Sequence, residues 1–393
     1  MRTIIITMLV LFAGITLNAQ NNINPVLSSI EENNTTLKAL RKQVEADRLQ
    51  NKTGIFLDDP EVGFNYLWAN PSNIGNRTDF SVSQTFDIPT ITGMKSRLAN
   101  GRNNLVEWQY KADRMNILLE AKQYCIELIY YNSLLKELYL RLEHAETIAK
   151  GYKDRMDRGD VSILEYNKVN LNLSTIQGEI SRMEVERDAL LAQLKRLNGG
   201  IDVVFNDADY GSRELPLNFN DWYVQAEDKN PVLAYVRNEI EVSQKQVSLS
   251  KAMNLPKFTA GYMSEKVVGQ RYQGVSLGIS IPLWSNKNQV KQAKASVAAA
   301  QSREADTKQQ FFSQLQIQYS KAMGLKTTAD KYRKSLANVN NTILLKKALD
   351  AGEISLLDYM VEMGLYYDNV NQTLAAERDY QLAFAELSAV ELY

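Results

Sequence analysis

The chain has 393 residues, of which 45% are hydrophobic and 23% charged, and its formal net charge is −1. That balance suits a folded chain of one to three domains and supplies no bulk electrostatic attraction for nucleic acid. One cysteine, Cys125, excludes an intrachain disulfide, and one histidine, His144, excludes a histidine-based metal cluster within a single chain.

Residues 1–19 read as a secretory signal peptide. Arg2 gives a positive start, Ile4–Ile15 is an apolar run of 12 residues, and Ala19 offers a small residue for cleavage. The run is too short to span a bilayer as a helix, and polar sequence follows at once. With no cysteine near the cleavage point, a lipid-anchored start is not indicated.

A helical segment follows at Asn34–Lys52, and after it come two stretches with period two. In the first, about 61–70, Val62, Phe64, Tyr66 and Trp68 alternate with Gly63, Asn65, Leu67 and Ala69. In the second, about 79–88, Phe80, Val82, Phe86 and Ile88 alternate with mostly polar residues, and Gln84 breaks the apolar side. Period two predicts strands with one apolar face. Their length is near the ~9–11 residues of a tilted transmembrane strand, and the aromatics lie on the apolar side, as on a lipid-facing barrel wall. A soluble sheet is the competing reading, but long helices leave it no evident packing partner.

Ile91–Lys150 contains no proline, so a helix of ~90 Å is predicted there. A turn at Gly159 leads into a helix whose seam is Tyr166, Val169, Leu173, Ile176, Ile180, Met183, Arg187, Leu190, Leu194 and Leu197. Steps of three and four along that seam are a coiled-coil pattern, which packs helices side by side. Residues 199–221, opening on Gly199 and Gly200, read as a connecting segment.

The same order then recurs. Pro231–Met253 reads as a helix, and strands are predicted at about 257–266 (Phe258, Ala260, Tyr262) and about 274–283 (Val275, Leu277, Ile279, Ile281, Leu283). A long proline-free stretch, a turn at Gly352 and a second seam (Leu356, Met360, Met363, Tyr367, Val370, Leu374) complete it. The residues themselves repeat: 159–166 match 352–359 at an offset of 193, and Ile88-Pro89 matches Ile281-Pro282 at the same offset. The mature chain is therefore two related repeats, 20–198 and 222–393, joined by 199–221. The fold class is mainly α with a membrane β portion, as two helix–strand–strand–helix units. Four strands cannot close a barrel alone, and lipid does not tolerate open edges, so several chains must pool their strands. Their number is not fixed by the residues.

This arrangement resembles the TolC family of outer-membrane efflux proteins. The resemblance rests on the duplicated order and on two turns that each carry a Gly, a Ser three residues on and an acid at the sixth position. Those are Gly159, Ser162 and Glu165, then Gly352, Ser355 and Asp358. It implies a homotrimer whose twelve strands form one barrel in the outer membrane and whose helices form a long periplasmic α-helical barrel. It implies that both turns (Gly159, Asp160 and Ser162; Gly352, Glu353 and Ser355) lie at the periplasmic tip and dock a periplasmic adaptor coupled to an inner-membrane pump. The segment 199–221 would be the belt around the helices. Asp358 would narrow the closed pore, with Glu165 at the equivalent place in the first repeat. Two family features are missing: a second aspartate is Val361 here, and an arginine partner is Ile354. A ring of Asp358 carboxylates would favour cations; the plainer reading is that both acids suit the dipole at a helix start.

Catalysis is not indicated. His144 reads as a solvated surface residue, and Asp58-Asp59 as a turn before Pro60 and a strand. No phosphate loop, Ser/His/Asp set, cofactor site or metal site is visible. The expected function is the outer-membrane exit duct of a tripartite efflux system. The alternatives are a type I protein-secretion exit channel and, from a different class, a periplasmic coiled-coil adaptor or scaffold. Cargo, whether drug, metal ion or protein, is not written in the chain.

Overall fold

The computed structural model describes residues 23–211, 214–338 and 341–392; the signal segment lies outside the described residues. Two helices open it, α1 (Ile23–Asn33) and α2 (Thr35–Lys52). Asn34 separates them by capping: its side chain accepts from the Leu37 backbone N–H at 2.8 Å, satisfying an orphan donor of the first turn of α2. Strands β1 (Glu61–Leu67) and β2 (Arg77–Phe86) follow, then α3 (Pro89–Asp157), α4 (Ile163–Leu197), α5 (Phe219–Lys229) and α6 (Pro231–Ala252). The second strand pair is β3 (Lys257–Val267) and β4 (Gln270–Ser280), succeeded by α7 (Gln289–Asn338), α8 (Thr342–Ala351) and α9 (Leu356–Leu387). No described helix is long and apolar enough to cross a membrane.

Proline and glycine explain the boundaries. Pro89 begins α3 and Pro231 begins α6, the position where a missing N–H costs nothing. α3 then runs 69 residues without another proline, roughly 100 Å of rise. In the second repeat the corresponding stretch is divided between α7 and α8. Among the described residues, 199–211 and 214–218 carry no regular element, and the first of these stretches is pinned to α3: Asn132 Nδ2 donates to Asp207 O at 2.9 Å, Tyr210 Oη donates to Ile126 O at 3.0 Å, and Ser133 Oγ donates to Ala208 O.

Chain contacts divide the molecule into two compact units, and these cut across the sequence repeats. One holds Asn33–Glu120, Pro216–Gly324 and Ala383–Tyr393; the other holds Met1–Glu32, Ala121–Leu215 and Leu325–Leu382. Each repeat gives its strands to the first unit and its Gly turn to the second.

In the strand-bearing unit a single antiparallel sheet has the order β1-β2-β3-β4, so the two repeats meet at the β2–β3 pair. The β3–β4 hairpin closes through a two-residue turn, Val268 and Gly269, both at positive φ (46° and 79°), the backbone of a type I′ turn that suits strand twist. That turn sets β4 earlier than its alternation suggests: the ladder stops at Ser280, and the apolar alternation runs on through Ile281 and Leu283 past Pro282, which has no N–H to donate. β2 likewise ends at Phe86, because Ile88-Pro89 already belongs to the start of α3. Below the sheet, Ile91 and Leu98 of α3 pack on Leu249 and Ala252 of α6. Lys257 Nζ bridges Asp58 (3.2 Å) and Asp87 (3.3 Å), tying the start of β3 to the segments flanking β1 and β2. Asp58 is thereby an ion-pair partner, and His144 is exposed on α3.

The other unit is helix on helix. Ile176 and Ile180 of the α4 seam pack against Leu134, Leu135 and Leu138 of α3, with Leu374 of α9 alongside. Arg187, the one polar residue in that seam, stays partly exposed and pairs with Asp188 at 3.0 Å.

Candidate functional site

The register of the sheet sorts its side chains into two faces. From the helix end outward, one face carries the rows Phe86–Phe258–Ile279, Gln84–Ala260–Leu277, Val62–Val82–Tyr262–Val275, Phe64–Phe80–Ser264–Gln273 and Tyr66–Thr78–Lys266–Arg271. The other face is mostly small or polar, with Gly63, Ser81, Ser83, Thr85, Thr259, Gly261, Gly274, Ser276 and Gly278; Met263 and Tyr272 are large residues among them, Glu61 and Lys257 lie toward the helix end, and Asp79 and Glu265 lie near the outer end. The small-residue face is tightly fitted at its centre. A Cβ on Gly261 would come within 2.5 Å of the Val82 carbonyl oxygen and 2.8 Å of Ser276 Oγ, so only glycine fits.

The apolar face is uncovered. Val62, Phe64, Val275, Leu277 and Ile279 are all more than 60% exposed, as are Trp68 and Trp284 beyond the ladder ends. A contiguous apolar surface across four strands exceeds what a soluble chain ordinarily presents to water. Among the described residues, the outermost strands β1 and β4 also leave their outer backbone N–H and C=O groups without a strand partner. An apolar face and two open edges are together satisfied by lipid on the face and further strands on the edges.

The Gly turns are built alike. At the first, Gly159 (φ 83°) donates its N–H to Met156 O at 2.9 Å, and Asp160 donates to Arg155 O at 2.9 Å, the paired closure of a helix end that needs a left-handed residue. Ser162 then caps α4: Glu165 N–H donates to Ser162 Oγ at 3.3 Å, and Ser162 N–H donates to Glu165 Oε2 at 3.2 Å. The second turn repeats every part. Gly352 (φ 72°) donates to Leu349 O at 3.1 Å and Glu353 to Ala348 O at 2.9 Å. Asp358 N–H donates to Ser355 Oγ at 3.1 Å, while Ser355 N–H and Oγ–H reach Asp358 Oδ2 at 3.3 and 2.7 Å. The Gly–Ser–acid spacing is therefore a helix stop followed by a reciprocal helix start.

The structure brings the two turns to one place. Val161 and Tyr166 beside the first turn share a cluster with Leu356 and Met360 beside the second, and with Tyr152 and Ala149 of α3. Gly159, Asp160, Ser162, Gly352, Glu353, Ser355 and Asp358 are exposed, and Glu165 is half-buried. Val361, at the position of a missing family acid, is exposed, while Ile354 packs at the edge of the Leu349–Tyr359–Met363 cluster.

One residue that the sequence did not single out is Arg141. Its guanidinium is buried between α3 and α9, lies 4.3 Å over the Tyr367 ring, and donates from Nη2 to Asn371 Oδ1 at 2.8 Å, leaving Nε without a partner. Burial lowers its pKa against the opposing pull of Tyr367, Glu137, Glu179 and Asp368; an arginine keeps its charge even so. In the sequence it sits in a helix dense with charge, where nothing separates it from a solvated residue. Among the described residues, no group of three or more His, Cys, Asp or Glu is placed to hold a metal.

A strand unit with an uncovered apolar face, together with long paired helices, is the architecture of outer-membrane channel proteins, and comparison with known proteins agrees. Residues 222–390 match the family described as outer membrane efflux protein. The chain is 21% identical to the alkaline protease secretion protein AprF of Pseudomonas aeruginosa, over 91% of this chain and 81% of that one. Its fold matches the solved channel protein CusC with a TM-score of 0.76 at 12% identity, covering 94% of this chain and 92% of that one. It matches the outer membrane protein VceC of Vibrio cholerae with a TM-score of 0.74 at 13% identity, covering 94% and 96%. The resemblance to the TolC family drawn from the two repeats and their turns is borne out.

Proposed function

We propose that three copies of this chain pool their strands into one twelve-stranded outer-membrane barrel and serve as the exit duct of a tripartite export system. The observation that carries this is the four-stranded sheet with an uncovered apolar face, most exposed on β1 and β4, and two open edges. Its work is passage, not chemistry. The repeats 20–198 and 222–393 each supply two strands and one tip hairpin, and 199–221 is the belt strapped to α3. The paired tip turns dock a periplasmic adaptor, which couples the duct to an inner-membrane pump. Two features suit them to that role: they are exposed, and capping at both ends holds their backbone in one shape.

Asp358 forms the narrowest ring of the closed pore, with Glu165 a lesser contributor. Oδ2 of Asp358 caps the helix, so the same carboxylate that holds the turn also sets the charge at the tip. In planar bilayers Asp358→Ala should raise single-channel conductance and weaken cation preference; unchanged conductance and selectivity would remove Asp358 from the constriction. Asp358→Asn keeps an acceptor for the cap and separates charge from fold.

The secretion protein AprF, aligned over nine-tenths of the chain, favours a second reading in which the cargo is a protein. Deleting the gene decides between them: loss of one secreted protein with unaltered drug susceptibility marks a secretion duct, and the reverse marks efflux of small molecules.

A further inference from the structure

The outward sheet face ends in a row that breaks its own pattern. Lys266 and Arg271 stand directly opposite each other on β3 and β4, with Thr78 and Tyr66 completing the row. Both bases are exposed. No Asp or Glu occurs in any of the five rows of that face, whereas the acids at the same end, Asp79 and Glu265, point to the other face. Those acids are bridged there by Arg77, whose Nε lies 2.8 Å from Asp79 and 3.2 Å from Glu265. The charges at this end are thus sorted: two acids bridged by one arginine on one face and two bases without an acid on the other.

Two like charges directly opposite on a sheet destabilise it. Their position gives a reason for them. Four row spacings of ~6.8 Å separate the Phe86 row from the Lys266 row, and a strand tilt of ~35–45° makes that ~20 Å of height. An outward apolar band is ~25 Å tall, so the basic row falls at its rim. It is the rim at the hairpin end, away from the helices, hence on the outer leaflet. Arg271 is steadied there by its Nε–H donating to Ser264 Oγ at 3.0 Å. Directly below, Gln273 accepts from Tyr262 Oη at 3.1 Å, giving a polar step between the apolar rows and the bases.

We infer that Lys266 and Arg271 form a binding site on the barrel exterior for a phosphate-bearing lipid headgroup of the outer leaflet, one site per protomer. The phosphate sits between the two bases and turns their mutual repulsion into attraction for a shared anion. The lipid's chains lie on the apolar rows beneath. The inference rests on the membrane-channel reading of the sheet.

The test is native mass spectrometry of the detergent-purified, delipidated oligomer titrated with diphosphorylated lipid A, or with the same lipid enzymatically stripped of phosphate. The wild type should retain the phosphorylated lipid at least about tenfold more tightly than the stripped one, and Lys266→Gln with Arg271→Gln should abolish that difference. Equal retention of the two lipids by the wild type overturns the inference without recourse to any variant. So does undiminished preference in the double variant. A purified chain that forms no membrane oligomer at all would instead overturn the channel reading, and this inference with it.

Discussion

Leu277 gives the sharpest test of whether the sheet faces lipid. It lies on the outward face of β4, six residues from Arg271 at one rim and six from Leu283 at the other, opposite Ala260 on β3. It is 86% exposed in the single chain, so it makes little packing contact that a substitution could remove. If water covered this face, Leu277→Arg would change stability by less than about 0.5 kcal/mol, as exposed substitutions do. If lipid covers it, an arginine near the bilayer midplane costs ~2–4 kcal/mol, and three per trimer cost ~6–12 kcal/mol. The control is Gly274→Arg on the opposite face, where an added Cβ meets no atom within 4 Å. The assay is the yield of heat-modifiable oligomer on unboiled gels after refolding into vesicles, followed against urea. Leu277→Arg should assemble only at much lower urea than wild type, and Gly274→Arg should match wild type. Equal behaviour of the two variants would refute the assignment of faces.

Other consequences are open to measurement. Ser355→Ala removes the cap acceptor of α9 and should cost about 1 kcal/mol locally, seen as faster amide exchange at residues 356–359. Ser162→Ala should do the same for α4. Gly261→Val drives side-chain atoms into the Val82 carbonyl and Ser276, and should cut oligomer yield sharply, because overpacking costs ~1–3 kcal/mol and three sites sum. Cys125 is buried on α3, and desolvation with help from Asp207 pushes its thiol up to about 12. Since the thiolate is the reactive form, iodoacetamide at pH 8 should leave the folded protein unlabelled and modify it fully in denaturant; labelling should rise only as pH approaches that value.

Much of this was legible in the residues because the signals were periodic. Strict alternation in Val275–Leu283 and the heptad steps of Val169–Leu197 each encode one face of one element, and the offset of 193 encodes the duplication. What was not legible depended on partners in space. The helical segment Asn34–Lys52 is α2, capped by Asn34, whereas α1 (Ile23–Asn33) was missed because Pro25 near its start reads as a breaker, although proline is tolerated in a first helical turn. β4 ends earlier than its alternation because the Val268–Gly269 turn, not hydrophobicity, sets the register. Arg141 looks solvated until Tyr367 and Asn371, more than 220 residues away, close over it. The acids Glu165 and Asp358 were read for charge, while their geometry first serves the helix starts through Ser162 and Ser355. The compact units follow packing, so neither coincides with a repeat.

The central claim is that the open edges β1 and β4 are completed by other copies of the chain and that the ring closes at three. Cysteines placed on the two edges, at Asn65 and Ser276 on the same face, test this with a short bis-maleimide linker applied to intact outer membranes; native Cys125 is buried and does not compete. The account predicts a ladder of one, two and three linked chains that stops at three, and no dimer or trimer when either cysteine is present alone. Monomer at every dose, or a ladder that continues past three, would contradict it.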